Sequence, residues 1–269
     1  MLKKIERNDP IFKSELFLKD VVPFNIMISI VESIDKYPTP KIFSNGCDCI
    51  IVNSDSEHPV IVWTSDNFDD FGNLFLFIHQ EFSENKPLKI ISKFNFFEFL
   101  KTKNKFSFVD TEELGVYECR KLNNIEYIGF PDNIKKEEVL TVAELLALFG
   151  KETGTDKNAT TEKYIDLAQE FITSTLNKAW RNKQGKIVAL TKLKVSEAYA
   201  RIGHVITDPK ERGKSYAKML VHFMTNHAKS LGKTPILYTD YNYPASNKCY
   251  MAVGYEYLCT IANYELEKS

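Results

Sequence analysis

The chain has 269 residues, 43% hydrophobic and 26% charged, a composition that leaves little room for disorder. At a nominal ~150 residues per domain, the length predicts two domains or one large one. Thirty-five Lys and Arg against thirty-six Asp and Glu leave a formal net charge of -1, so the basic footprint that nucleic-acid binding requires is missing.

In chain order, residues 1–122 alternate short apolar segments with turns, and are rich in Phe and Ile. Strands are predicted at 49–52, 60–63 and 88–91, bounded by turns at 44–46, 53–59 and 84–87. Helices are predicted at about 14–35 and 95–104, and the whole reads as an α+β or α/β lobe. From residue 123 onward the pattern changes. Thr141 stands three residues before Glu144, a capping-box spacing that predicts a helix from there to Gly150. Tyr164, Leu167, Ala168, Phe171 and Thr175 recur at helical spacing and give a second helix. Residues 178–190 read as a hairpin turning at 182–185, and 197–207 as a longer strand ended by Asp208-Pro209. A stripe of period 3.6 between Tyr216 and Leu231 predicts a long helix closed by Gly232. A strand at 236–238, a short helix at 246–253 ending at Gly254, and a last strand at 255–266 complete the order.

No apolar run approaches the ~18–20 residues that a membrane helix needs. Polar residues from Glu6 to Pro10 follow the early lysines where a secretory leader would be apolar, so the expected location is cytoplasmic. Five cysteines, Cys47, Cys49, Cys119, Cys249 and Cys259, are an odd number without paired spacing, and read as reduced thiols. His222 and His227 lie five apart on the long helix, off the spacing that puts two ligands on one face, and no metal is expected. The cluster Phe94, Phe96, Phe97, Phe99, Phe106 and Phe108 reads as core packing.

The joint 205–217 is the segment that carries chemistry, because a strand runs through a short basic turn directly into a helix. The first turn of a helix presents unpaired N–H groups and about half a positive charge, which makes a ready anion site. Arg212, Gly213 and Lys214 add charge and close backbone approach. Downstream stand Pro235-Ile236-Leu237-Tyr238 and then Ser246-Asn247-Lys248-Cys249-Tyr250, followed by Gly254-Tyr255.

With these residues in that order, the sequence resembles the GCN5-related N-acetyltransferase (GNAT) superfamily over residues 124–269, most specifically over 202–255. The resemblance implies a mixed central sheet flanked by helices, the acyl-CoA N-acyltransferase fold, in an acetyltransferase domain at 123–269. It is faint over residues 1–122, which would be a degenerate GNAT-like lobe. The glycines of that lobe, Gly46, Gly72 and Gly115, are isolated and none opens a basic helix, so one cofactor site per chain is expected. By the resemblance, Arg212, Gly213, Lys214, Ser215, Tyr216 and Ala217 would hold the pyrophosphate of acetyl-CoA. The backbone at His204, Val205, Ile206 and Thr207 would pair with the pantetheine arm and point an N–H at the thioester oxygen. Asn247, with Asn242 beside Tyr243, would contact the cofactor arm, and Tyr250 would be the general acid that protonates the departing thiolate.

Two departures from the family pattern stand out. Ser215 takes the place of the usual central glycine, so either it keeps a negative φ or the loop makes a side-chain contact instead. Arg201 occupies the strand position where histone-modifying relatives carry a glutamate. An amine must lose a proton before it attacks, and the candidates for the base are His204, Glu197 and Asp240, with a water chain as the alternative. The expected reaction is acetyl transfer from acetyl-CoA to a primary amine of a small molecule, by a monomer or homodimer acting on neither nucleic acid nor membrane. Rival readings are an acetyl-CoA-binding module without turnover and a nucleotide-binding protein, the latter opposed by the absent Gly-x-x-x-x-Gly-Lys-Ser/Thr pattern.

Overall fold

Val60–Thr64 is an apolar run buried at every position and Leu88–Ser92 is buried at all but one, as parallel strands covered by a crossover helix must be. They belong to a computed structural model that describes residues 1–83, 87–103 and 106–268, the side chains of Phe106, Asp110 and Lys268 excepted. The predicted turn at 84–86 and the ring of Phe106 therefore lie outside the described residues.

The elements run in two matching series. The first is β1 (Lys3–Lys4), α1 (Glu15–Leu18), α2 (Asn25–Glu32), β2 (Lys41–Ser44), β3 (Cys49–Asn53), β4 (Val60–Thr64), α3 (Phe71–Phe82), β5 (Leu88–Ser92), α4 (Phe94–Lys101) and β6 (Phe106–Glu118). The second is β7 (Phe130–Asp132), α5 (Val139–Glu152), α6 (Ile165–Thr173), β8 (Lys178–Arg181), β9 (Ile187–Val195), β10 (Tyr199–Thr207), α7 (Tyr216–Ser230), β11 (Thr234–Asp240), α8 (Pro244–Val253) and β12 (Glu256–Lys268). Each series is strand, two helices, three strands, helix, strand, helix, strand. Pairing repeats too: β2–β3–β4 and β8–β9–β10 are antiparallel, whereas β4–β5 and β10–β11 are parallel.

The chain packs as two units. The first holds Met1–Val116 with Thr239–Asn242 and Leu258–Ser269; the second holds Tyr117–Tyr238 with Tyr243–Tyr257. A contiguous division at 122/123 differs from this at the last strand. β12 pairs antiparallel with β5, Ala262 opposite Ser92 and Leu266 opposite Leu88, and Tyr264 is 2% exposed in the core of the first unit. Five of the six clustered phenylalanines, Phe94, Phe96, Phe97, Phe99 and Phe108, pack in that same core.

Several sequence expectations are corrected by local chemistry. The helix at 14–35 is broken in two around Pro23, α3 and β6 fall where no element is predicted, and α4 stops at Lys101. α5 starts at Val139 rather than after Thr141, behind a 3-10 turn (Lys136–Glu138) in which the Glu138 carboxylate accepts the Lys135 N–H at 2.8 Å. Gly150 does not end it. It is buried inside the helix, where a Cβ would stand 2.4 Å from the Tyr164 hydroxyl. Cys47 sits exposed in a turn and Cys49 is buried in β3.

Candidate active site

β10 is where the sheet opens within the second unit. It runs parallel to β11 from Tyr199–Thr234 to Ile202–Leu237, and the recorded pairs stop there although both strands continue. Against β9 the register slips by one residue between Gly203 and Ile206, a bulge that holds His204 at φ 51. Such a bulge bends its strand and twists it away from a neighbour. The backbone from His204 to Thr207 is thereby released from β11.

The turn that follows is built by short-range bonds. Asp208 accepts the Lys210 N–H at 3.0 Å and its carboxylate lies 2.8 Å from Lys186 Nζ, which anchors the 3-10 turn (Pro209–Glu211). Gly213 then takes φ 79 and Ser215 φ 64. Ser215 therefore adopts the left-handed conformation that a glycine would, and the alternative of a negative φ is corrected. With that backbone its hydroxyl makes no cap to the helix. Among the described residues, the N–H groups from Gly213 to Lys218 find no acceptor within the protein. A Cβ built on Gly213 meets nothing within 4 Å. These amides, with the positive end of a 15-residue helix behind them, form an anion cradle with open space in front of it.

The cradle opens on a cleft of about 450 Å³ contained in the second unit. Its walls include Val205, Ile206, Thr207, Arg212, Gly213, Ser215, Tyr216 and Ala217 on one side and Tyr243, Ser246, Lys248, Cys249 and Tyr250 from the start and body of α8 on the other. Tyr250 is 8% exposed. Burial holds its phenol well above the ordinary range, with Cys249 adding to the rise and a hydrogen bond from Ser246 opposing it. The hydroxyl therefore keeps its proton at neutral pH. Burial likewise pushes the Cys249 thiol up to about 11, so it stays a neutral wall group.

α8 is fixed at its far end by Gly254, at φ 114, where a Cβ would fall 2.1 Å from the Lys121 carbonyl oxygen. Behind Tyr250, Tyr255 packs edge-on at 6.3 Å. The Thr225 hydroxyl donates to the Val221 carbonyl, which leaves the Tyr255 hydroxyl to donate to Thr225 at 2.9 Å. Both tyrosines are thus seated against the buried face of α7.

Not every expected residue reaches the cleft. His204 stacks on Phe149 of α5 at 4.9 Å, and burial together with Lys192 and Arg201 pushes its pKa down to about 4, a weak base facing away from the site. Glu197 lies in the β9–β10 turn, where Ser196 closes a loop with Tyr199, rather than on β10. At a ~3.3 Å rise per residue the far end of β10 lies more than 20 Å from the cradle. Asp240 accepts the Asn242 N–H at 2.8 Å, and neither lines the cleft. Asn247 is buried within α8 and Lys214 turns to Glu211 at 2.8 Å, so both stand outside the lining as well. Arg201 lies over the Tyr238 ring at 5.5 Å. Glu152, Lys218, Lys248, Ser246 and Cys249 line the cleft without having been expected there. The i, i+4 spacing of Ser246 and Tyr250 could have signalled that pair, whereas nothing in the sequence links Glu152 to a turn 60 residues away.

A mixed sheet whose two parallel strands part beside an uncapped helix N-terminus defines an acyl-CoA N-acyltransferase fold. Residues 142–255, which apart from Thr239–Asn242 lie within the second unit, match the model of the acetyltransferase (GNAT) family, and solved GNAT structures share the fold of the whole chain. No curated protein matches it. Among solved structures it is similar to a GNAT-family acetyltransferase from Colwellia psychrerythraea, with 20% identity and a TM-score of 0.57, covering 99% of this chain and 100% of that one. A GCN5-related N-acetyltransferase from Sphaerobacter thermophilus aligns at 10% identity and a TM-score of 0.67 over 98% of this chain and 94% of its own. A tandem GNAT protein from the clavulanic acid biosynthesis pathway aligns at 10% identity and 0.52 over 100% and 98%.

Proposed function

We propose that the protein is an N-acetyltransferase that moves an acetyl group from acetyl-CoA to a primary amine of a small-molecule acceptor. The observation that carries this reading is the row of unsatisfied main-chain N–H groups from Gly213 to Lys218, which opens on the cleft where β10 leaves β11. The amides and helix dipole of α7 take up the negative charge of a diphosphate, and the freed backbone of β10 supplies donors and acceptors for an extended amide-bearing arm. When bound, acetyl-CoA supplies an activated thioester. Tyr250, protonated and lining the same cleft, donates its hydroxyl proton to the leaving sulfur.

Of the lining carboxylates, Glu152 is ion-paired with Arg212 and Glu211 with Lys214, and His204, Glu197 and Asp240 stand outside the lining. In this reading the acceptor amine therefore loses its proton to water. The same observation favours a second reading, a module that binds acetyl-CoA without turnover. Calorimetry with CoA and thiol-release assays over a panel of amines separate the two. The enzyme reading expects one CoA per chain and thiol release with at least one amine, and binding without release across the panel would support the second. Gly213→Glu is expected to weaken CoA binding at least about tenfold through bulk and like charge; unchanged affinity would remove the turn from the diphosphate site.

A further inference from the structure

Three carboxylates surround the anion cradle, and each is engaged with a cation. Lys186 pairs with Asp208 at 2.8 Å, Lys214 with Glu211 at 2.8 Å, and Arg212 with Glu152 at 2.7 Å. These six charges cancel. The first two pairs lie within the turn or beside it. The third spans 60 residues: Arg212 Nη2 donates to both oxygens of Glu152, at 2.8 and 2.7 Å, while its Nε reaches the Thr207 carbonyl at 3.3 Å. Both Glu152 and Arg212 line the cleft, and both side chains are about two-fifths exposed.

Glu152 is the last residue of α5, where the helix dipole opposes a negative charge. Its partner is what offsets that cost. The end of α5 is also held in place one turn earlier, by the stack of Phe149 on His204 at the β10 bulge. The carboxylate is therefore presented to the phosphate turn by the end of a packed helix, whereas Arg212 stands in the turn itself. Glu152 takes up Nη2 and the Thr207 carbonyl takes Nε, so neither two-nitrogen fork of the guanidinium is open to a phosphate while the pair is intact, and only the Nη1 N–H groups remain.

We propose that Glu152 is a built-in competitor for the diphosphate of the cofactor: it holds the Nη2 group of Arg212, gives it up when a diphosphate takes that guanidinium in a forked contact, and thereby weakens CoA binding and speeds its departure. This rests on the cofactor reading above. The exchange involves no covalent step; one anion replaces another at the same guanidinium. Glu152 is thus a positioning residue that tunes affinity through Arg212.

The test is isothermal titration of the full-length chain and its Glu152→Gln variant with CoA and with pantetheine, which lacks the diphosphate, at low and high salt. The variant is expected to bind CoA more tightly, on the order of three- to tenfold at low salt, with the gain shrinking at high salt. Pantetheine affinity should not change. If the variant weakens CoA and pantetheine alike, the carboxylate only braces the turn and the proposal is overturned. Equal CoA affinity overturns it too, while leaving the cofactor reading intact. Failure of both proteins to bind CoA overturns the cofactor reading and the exchange with it. Glu152→Ala should move affinity in the same direction as Glu152→Gln, which separates charge from any effect of the amide.

Discussion

At Tyr250 the chemistry asks for a hydroxyl that is dry enough to stay protonated yet open to a ligand. Burial among α8, Cys249 and Tyr255 supplies the first condition, and its place in the cleft wall supplies the second. Tyr250→Phe removes the proton and keeps the ring. In the proposed enzyme this variant should lower turnover by about 10²–10⁴-fold while leaving CoA affinity within a factor of about two. Thiol release under saturating CoA, with calorimetry for affinity, measures both; a fully active variant would remove the general-acid role. Ser215 makes a different point at the same scale. It accepts a left-handed backbone that costs a non-glycine residue about 1–2 kcal/mol, and the N–H groups at the helix start are left without an acceptor in the protein.

Elements meet that cost by burial. α7 buries Tyr216, Met219, Leu220, Val221, Met224 and Ala228 on one face, so its packing fixes the helix start without a cap. β10 does the same for its bulge: Ile202 and Ile206 are buried on either side of it, and His204 is clamped against Phe149 of α5. The bulge has a pH signature. Free histidine titrates near 6.5 and His204 near 4, so between these values the unfolded chain binds the proton that the folded chain refuses. Stability attributable to this residue is complete above pH 6.5 and falls as pH drops toward 4, below which roughly 3 kcal/mol has been lost. His204→Asn tolerates the same left-handed backbone and does not titrate. Urea unfolding at pH 7.5 and pH 4.5 should show a smaller acid-side loss for the variant, and an equal loss in both proteins would assign the effect elsewhere.

Over the whole molecule, one series of elements is used twice with different outcomes. In the first unit the joint between β4 and α3 carries Asp66, Asp69 and Asp70 where the second carries Arg212, Gly213 and Lys214. Lys93 bridges Asp20 and Asp66 at 2.5 and 2.6 Å, and Trp63 donates its indole N–H to Asp20 at 2.8 Å. An acidic joint closed by ion pairs repels a diphosphate, which is why one site per chain is the expectation. The division of the chain also places the last strand. Removing residues 258–269 takes Ile261, Ala262, Tyr264 and Leu266 from the first unit's core together with the Ser92–Tyr264 hydrogen bond. That truncation is expected to cost several kcal/mol and to render residues 1–116 protease-sensitive, as peptide mapping of a limited digest would read. Continued protection of that segment would contradict the assignment of the strand.

The amino-acid order by itself determined the second half of the succession and much of the lining of the candidate cleft. A 3.6-residue stripe into a basic glycine turn, and a Ser-Asn-x-x-Tyr helix before Gly254, are signals carried by neighbours in sequence. Val205 to Thr207, Arg212, Gly213, Ser215 to Ala217 and Tyr250 line one cleft for that reason. Tertiary structure decided the rest. The repeat within residues 1–122 is hidden because continuous buried strands and a Phe-rich helix have no period to tell them apart. The side-chain direction of His204 was set by a one-residue bulge, and the partner of Arg212 by a helix end 60 residues away. Both depend on which surfaces pack, a contest among distant residues that no local spacing records.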